Sequence, residues 1–115
     1  PVSQPLSPKG RGEEERKLLR CRELADAGRL ADARVECEQT LASSPTADGY
    51  ALLGVIHQAA GNLDAAAEAF RKALYLNPTH REALTHAELV SRSRGQTAAA
   101  DAYRARLARV PGGES

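Results

Sequence analysis

The sequence has no tryptophan and no methionine, and one phenylalanine with three tyrosines leaves aromatic residues at 3% of 115 positions. That scarcity, with no strongly basic groove, argues against nucleic acid, because single strands need rings to stack on. β-Branched apolar residues are also few: five Val and one Ile stand against 22 Ala and 14 Leu, a balance that favours helix over strand and predicts an all-α chain. Charge of one sign is lacking too, since 16 Lys and Arg against 15 Asp and Glu give a net +1, which excludes a polyelectrolyte binder. The cations are 13 Arg to 3 Lys, a usage that resembles the codon bias of a GC-rich bacterial genome. No stretch approaches the roughly 18 consecutive apolar residues of a membrane span, and the start Pro1-Val2-Ser3-Gln4-Pro5 lacks the charged-then-apolar order of a secretory signal. A cytoplasmic domain without membrane insertion is the expectation. The two cysteines, Cys21 and Cys37, fit no paired Cys/His zinc spacing and are too few for a disulfide scaffold, so buried reduced thiols are expected.

What is present is a period. Gly28, Gly61 and Gly95 lie 33 and 34 residues apart, and Ala33, Ala66 and Ala100 each follow five residues later. The bulkier Cys37, Phe70 and Tyr103 come next on the same helical face, and Pro45 and Pro78 close the first two units. Three helix-turn-helix units are therefore predicted, six antiparallel helices at about 13–27, 29–43, 47–60, 62–76, 79–94 and 96–109. Ahead of them, Pro1, Pro5 and Pro8 with Gly10 and Gly12 read as a linker over residues 1–12, which is either a free start after removal of an initiator Met or the end of a longer linker. Residues 112–115 read as a flexible tail, and the repeats as one domain over 13–111, divided near 14–46, 47–80 and 81–111.

Within the middle unit, Tyr50, Leu53, Gly54 and His57 share one helix face, and Ala66, Phe70, Ala73 and Leu74 share another. Small residues at Gly54, Ala66 and Ala73 allow the helix axes to approach, while Tyr50, Leu53 and Phe70 fill the space between units. Gly61 supplies a positive φ to end one helix, Asn62 caps the next, and Asn77-Pro78 ends the unit.

These residues resemble the tetratricopeptide repeat. In the middle unit Tyr50 stands where that family prefers Trp and His57 where Tyr is usual, with Leu53, Gly54, Ala66, Phe70, Ala73 and Pro78 matching. The first unit departs at Lys17 and Arg20, where apolar residues belong, and the last carries Glu88 where a small one is expected. The resemblance implies a right-handed superhelix whose first helices line a concave groove for a protein or peptide partner. It would place Leu18, Leu19, Arg22 and Asp26, then Ala51, Leu52, Val55 and Gln58, then Thr85, His86, Leu89 and Arg92 in that groove. The family's subset that grips chaperone C-terminal carboxylates uses Lys, Asn, Asn, Lys and Arg; here the positions read Leu18, Arg22, Leu52, Glu82 and His86, so that use is not expected.

The string from Phe70 to His80, with Tyr75 where most repeats are acidic, is similar to the repeat region after the catalytic domain of some bacterial CheR-type chemoreceptor methyltransferases. That resemblance implies an accessory module of an S-adenosylmethionine-dependent protein-glutamate methyltransferase, recruiting or regulating partners of a signalling array. A free-standing adaptor or chaperone of a secretion or assembly complex is the alternative. The chain has no strand followed by a Gly-rich loop to cradle a nucleoside, so it is not expected to be an enzyme itself, nor to hold a cofactor. His57, His80 and His86 show no i,i+4 pair of the helical zinc kind and read as structural or groove residues, with no metal expected. Charge is uneven: residues 81–111 carry six Arg against Glu82, Glu88 and Asp101, which reads as solvation of the last helix or as a surface for an acidic partner.

Overall fold

The computed structural model describes residues 9–111, in six helices: α1 Lys9–Asp26, α2 Leu30–Ser43, α3 Ala47–Ala59, α4 Leu63–Leu76, α5 Arg81–Ser93 and α6 Thr97–Ala108. The tail at 112–115 and most of the expected linker lie outside the described residues. Each odd-numbered helix packs on the following even one, and α2 on α3 and α4 on α5 join the units. Beyond that, α1 touches α3 and α3 touches α5, whereas the backbones of α2, α4 and α6 do not meet one another. The first helices therefore crowd the inner side of the curve and the second helices spread over the outer side.

Turns inside the units share one mechanism. Gly28, Gly61 and Gly95 adopt φ of +83°, +82° and +77°, a region closed to most side chains. Each lets the next residue's N–H reach back five residues, as Asn62 does to the His57 carbonyl (2.9 Å), while the Gly61 N–H bonds to Gln58 (3.0 Å). Between units the helix starts are capped by side chains. Thr46 Oγ1 accepts from the Gly49 N–H at 3.0 Å, and His80 Nδ1 accepts from the Ala83 N–H at 3.2 Å.

Two expected boundaries move. Helix α1 begins at Lys9, so Gly10 and Gly12 sit inside a helix rather than in the linker. A helical glycine costs only about 1 kcal/mol, too little to keep these two out of α1. Helix α5 starts at Arg81 instead of near 79, because His80 is its cap, with extended backbone.

The core forms two clusters. One gathers Ala51, Ala66, Phe70, Ala73, Leu74, Leu84, Ala87 and Val90 from α3, α4 and α5; the other gathers Cys21, Ala33, Cys37, Leu41, Leu52 and Ile56 from α1, α2 and α3. Tyr50 and Leu53 are only half-buried, and Tyr50 touches both clusters. Phe70 is fully buried, and a Cβ added to Gly54 would stand 2.5 Å from its ring, so glycine is what permits α3 and α4 to close on the phenylalanine. The last unit slips. Tyr103 follows Ala100 by three residues where Phe70 follows Ala66 by four, so it is half-buried, and the exposed Arg104 takes the Phe70 register. In α6 the buried residue is Ala100.

Candidate functional site on the first-helix face

The inner face shared by α1, α3 and α5 holds a shallow depression of about 360 Å³ lined by Glu15, Leu18, Leu19, Arg22, Asp48, Leu52 and Glu82. Four of the twelve sequence-expected groove residues, Leu18, Leu19, Arg22 and Leu52, meet there. Leu52 is its floor, only 2% exposed, and Leu19 offers a large apolar surface at 57% exposure. Val55 and Gln58 are half-buried further along α3, and Thr85 and Leu89 are exposed on α5.

Three of the expected residues have other roles. Ala51 is fully buried in the core between α3, α4 and α5 and presents no surface. Asp26 is exposed but lies one residue beyond the register of Gln58 and Arg92, since 33 residues before Gln58 is Ala25. Arg92 is bound to Glu88 (3.1 Å) and to Asp101 of α6 (3.3 Å), which ties it to the last helix pair.

Of the carboxylates in the depression, Glu82 stands at one of the five carboxylate-gripping positions, whereas Glu15 and Asp48 are not among the expected groove residues. Glu15, Asp48 and Glu82 follow one another by 33 and 34 residues, the same intervals as the turn glycines, so a repeat-register reading of charge as well as size would have found them. Arg22 reaches Glu82 at 3.5 Å and so links α1 to α5 across the floor formed by α3. His80 donates from Nε2 to Asp48 at 2.7 Å, since its Nδ1 is the acceptor of the Ala83 N–H. His86 is half-buried, stacks on Phe70 with ring centroids 5.8 Å apart and meets Gln58 Oε1 through Nδ1 at 2.9 Å, which ties α5 to α3 beyond the depression. Burial lowers the pKa of the half-buried His57.

Neither thiol is placed for chemistry. Cys21 and Cys37 are completely buried, and desolvation pushes the Cys37 thiol up to about 12 and raises Cys21 as well. The Cys37 thiol donates to the Gly49 carbonyl at 3.4 Å, helping to seat the start of α3. Among the described residues no three His, Cys, Asp or Glu side chains gather as a metal ion would require, and no helix is long and apolar enough to cross a membrane.

A second surface lies on the α4 side, where Pro45, Tyr50, Glu68, Arg71, Lys72, Tyr75 and Leu76 border a hollow of about 400 Å³. Tyr75 is 86% exposed, and the Lys72 ammonium sits 5.7 Å from the Tyr50 ring centre. Arg71 is paired with Glu68.

Residues 47–80 match the tetratricopeptide repeat family. Over 87 residues, 75% of this chain, the sequence is 42% identical to the probable biofilm formation methyltransferase WspC of Pseudomonas aeruginosa, and over 88 residues it is 40% identical to the protein of that name from Pseudomonas putida. The chain spans about a fifth of those relatives, 21% of each. Among solved structures, MamA superposes with a TM-score of 0.80 over 88% of this chain and 60% of that one, at 22% identity. The type III secretion translocator chaperone SycD of Yersinia enterocolitica gives 0.76 over 85% and 78%, at 17% identity. Both are likenesses of fold.

Proposed function

We propose, for a chain built of tetratricopeptide repeats, that its first-helix face is a docking groove for a segment of a partner protein, and that the chain serves as the non-catalytic partner-binding region of a CheR-type protein-glutamate methyltransferase. The observation that carries the groove is the depression between α1, α3 and α5, with Leu52 as an apolar floor and Leu19 exposed beside it. An exposed leucine beside an apolar floor gains from being covered, at roughly 25 cal/mol per Å² of apolar surface removed from water. Partner side chains would therefore anchor at Leu19 and Leu89, with Gln58, Thr85 and His86 fixing orientation. Identity to the two WspC proteins supports the link to a methyltransferase. In that setting the repeats recruit or position the enzyme within a signalling assembly, acting through preference for one docked state over another.

Two comparisons test this. Leu19→Asn and Leu89→Asn should each weaken capture of the natural partner, while Arg71→Glu on the α4 side leaves it unchanged; equal losses from all three would remove the groove assignment. In a protein joining this chain to a methyltransferase domain, removal of residues 9–111 should leave methyl transfer to a receptor peptide intact and change partner association. Loss of intrinsic transfer in a folded truncated enzyme would show that the repeats help build the active site.

A further inference from the structure

The charged residues of the depression follow the repeat. Glu15, Asp48 and Glu82 occupy one register on three successive first helices, so carboxylates ring a floor of Leu18, Leu19 and Leu52. Among the described residues, the one cation lining it, Arg22, is already engaged with Glu82 at 3.5 Å. Of the neighbouring basic residues, His80 gives its Nε2 proton to Asp48 while its Nδ1 accepts from Ala83, and Arg16, Lys17 and Arg20 border a hollow on α1 that shares only Leu19 with this one. An incoming carboxylate would have to separate Arg22 from Glu82 and would then face Glu82 and the exposed Asp48. An incoming ammonium or guanidinium meets Asp48, 79% exposed, whose second oxygen lone pairs remain open beside the His80 bond, and can share Glu82 with Arg22. Both partners need an apolar side chain to cover Leu19 and Leu52; charge is what separates them.

From this we infer that the occupant of the groove is a cationic amphipathic segment, with leucine-like side chains seated over Leu19 and Leu52 and Lys or Arg against Asp48 and Glu82. The inference rests on the docking-groove reading and names its partner chemistry. It also gives the Arg22–Glu82 pair a role. By holding Arg22 on α5, Glu82 keeps this cation of the depression unavailable to acidic segments, so selectivity comes from a pair that adds little to stability at this exposure.

The test uses the full chain and two fluorescein-labelled helical peptides of equal length, one of leucine and lysine and one of leucine and glutamate, titrated by fluorescence anisotropy. The lysine peptide should bind about tenfold more tightly, as several exposed charge pairs of fractions of a kcal/mol each allow, and its affinity should fall as salt rises. In the variant carrying Asp48→Asn and Glu82→Gln, Arg22 loses its partner, and the preference should pass to the glutamate peptide. A merely structural role for these carboxylates would weaken both peptides alike and overturns the inference. Equal binding of the two peptides to the unaltered chain also overturns it, yet leaves the groove standing if Leu19→Asn abolishes both. Binding of neither peptide overturns it as well. The groove reading itself falls only if natural-partner capture ignores Leu19→Asn and Leu89→Asn.

Discussion

The middle unit and the two outer ones differ in what their helices must face. Helices α3 and α4 have neighbours on both sides, and their contact is so close that Gly54 has no room for a methyl group beside Phe70. Helix α1 has a neighbour on one side only and carries Lys17 and Arg20, both exposed, where the repeat pattern asks for apolar residues; α6 buries Ala100 and leaves Arg104 in the Phe70 register. The repeat pattern is thus a record of burial rather than of helix formation. Where one face meets water the side chain needed for interlocking loses its value, and a charged residue replaces it without disturbing the helix.

The comparison is most severely strained by truncating the ring at its centre. Phe70→Ala should cost about 3–5 kcal/mol, seen as a large fall in the urea midpoint, whereas Arg104→Ala in the same register should leave the midpoint nearly unchanged. Similar costs at the two sites would mean that the last unit packs as tightly as the middle one. Next in size, Gly54→Leu should overpack the α3–α4 contact at about 1–3 kcal/mol, while Glu88→Ala, the corresponding position of the last unit, should move stability by no more than a few tenths of a kcal/mol. An unaffected Gly54 variant would mean the helices are not in the contact described.

A third contrast separates the first unit from the rest by pH. Cys37 keeps its proton in the folded chain up to about 12, whereas an unfolded thiol releases it near about 8.5. Between those values the unfolded state holds fewer protons, so stability is fully present below the lower value and declines as pH rises towards the upper one. The urea midpoint should fall from the lower value upward more steeply in the unaltered chain than in Cys37→Ala. Parallel curves would contradict the burial assigned to this thiol.

Much of the fold was legible because its punctuation is local. The three turn glycines and Asn77-Pro78 fix where helices stop, and the six helices fall close to their expected places. The failures have physical causes. The start of α1 was placed late because Gly10 and Gly12 were weighed like prolines, although glycine only taxes a helix and proline interrupts it. The start of α5 was placed early because a histidine does not announce itself as a cap, yet His80 Nδ1 accepts the Ala83 N–H as an aspartate would. Tyr103 was matched to Phe70 by its size, and one residue of register, about 100° around a helix of 3.6 residues per turn, leaves it only half-buried. In the groove, adjacent positions were assigned to one face. Ala51 and Leu52 are both buried, but one residue is about 100° around the helix: Ala51 packs among α3, α4 and α5, while Leu52 turns towards α1 and the depression. The acidic ring escaped notice because charges were totalled by unit rather than aligned by repeat.

The most direct measurement is nuclear magnetic resonance on the isotope-labelled chain titrated with its partner segment or, failing that, with the leucine–lysine peptide. Amide shifts that concentrate around Leu19, Arg22, Asp48 and Glu82 and leave Tyr75 and Leu76 unmoved are the predicted result. Shifts that gather instead around Tyr50, Lys72, Tyr75 and Leu76 would place the partner on the α4 side and contradict the account.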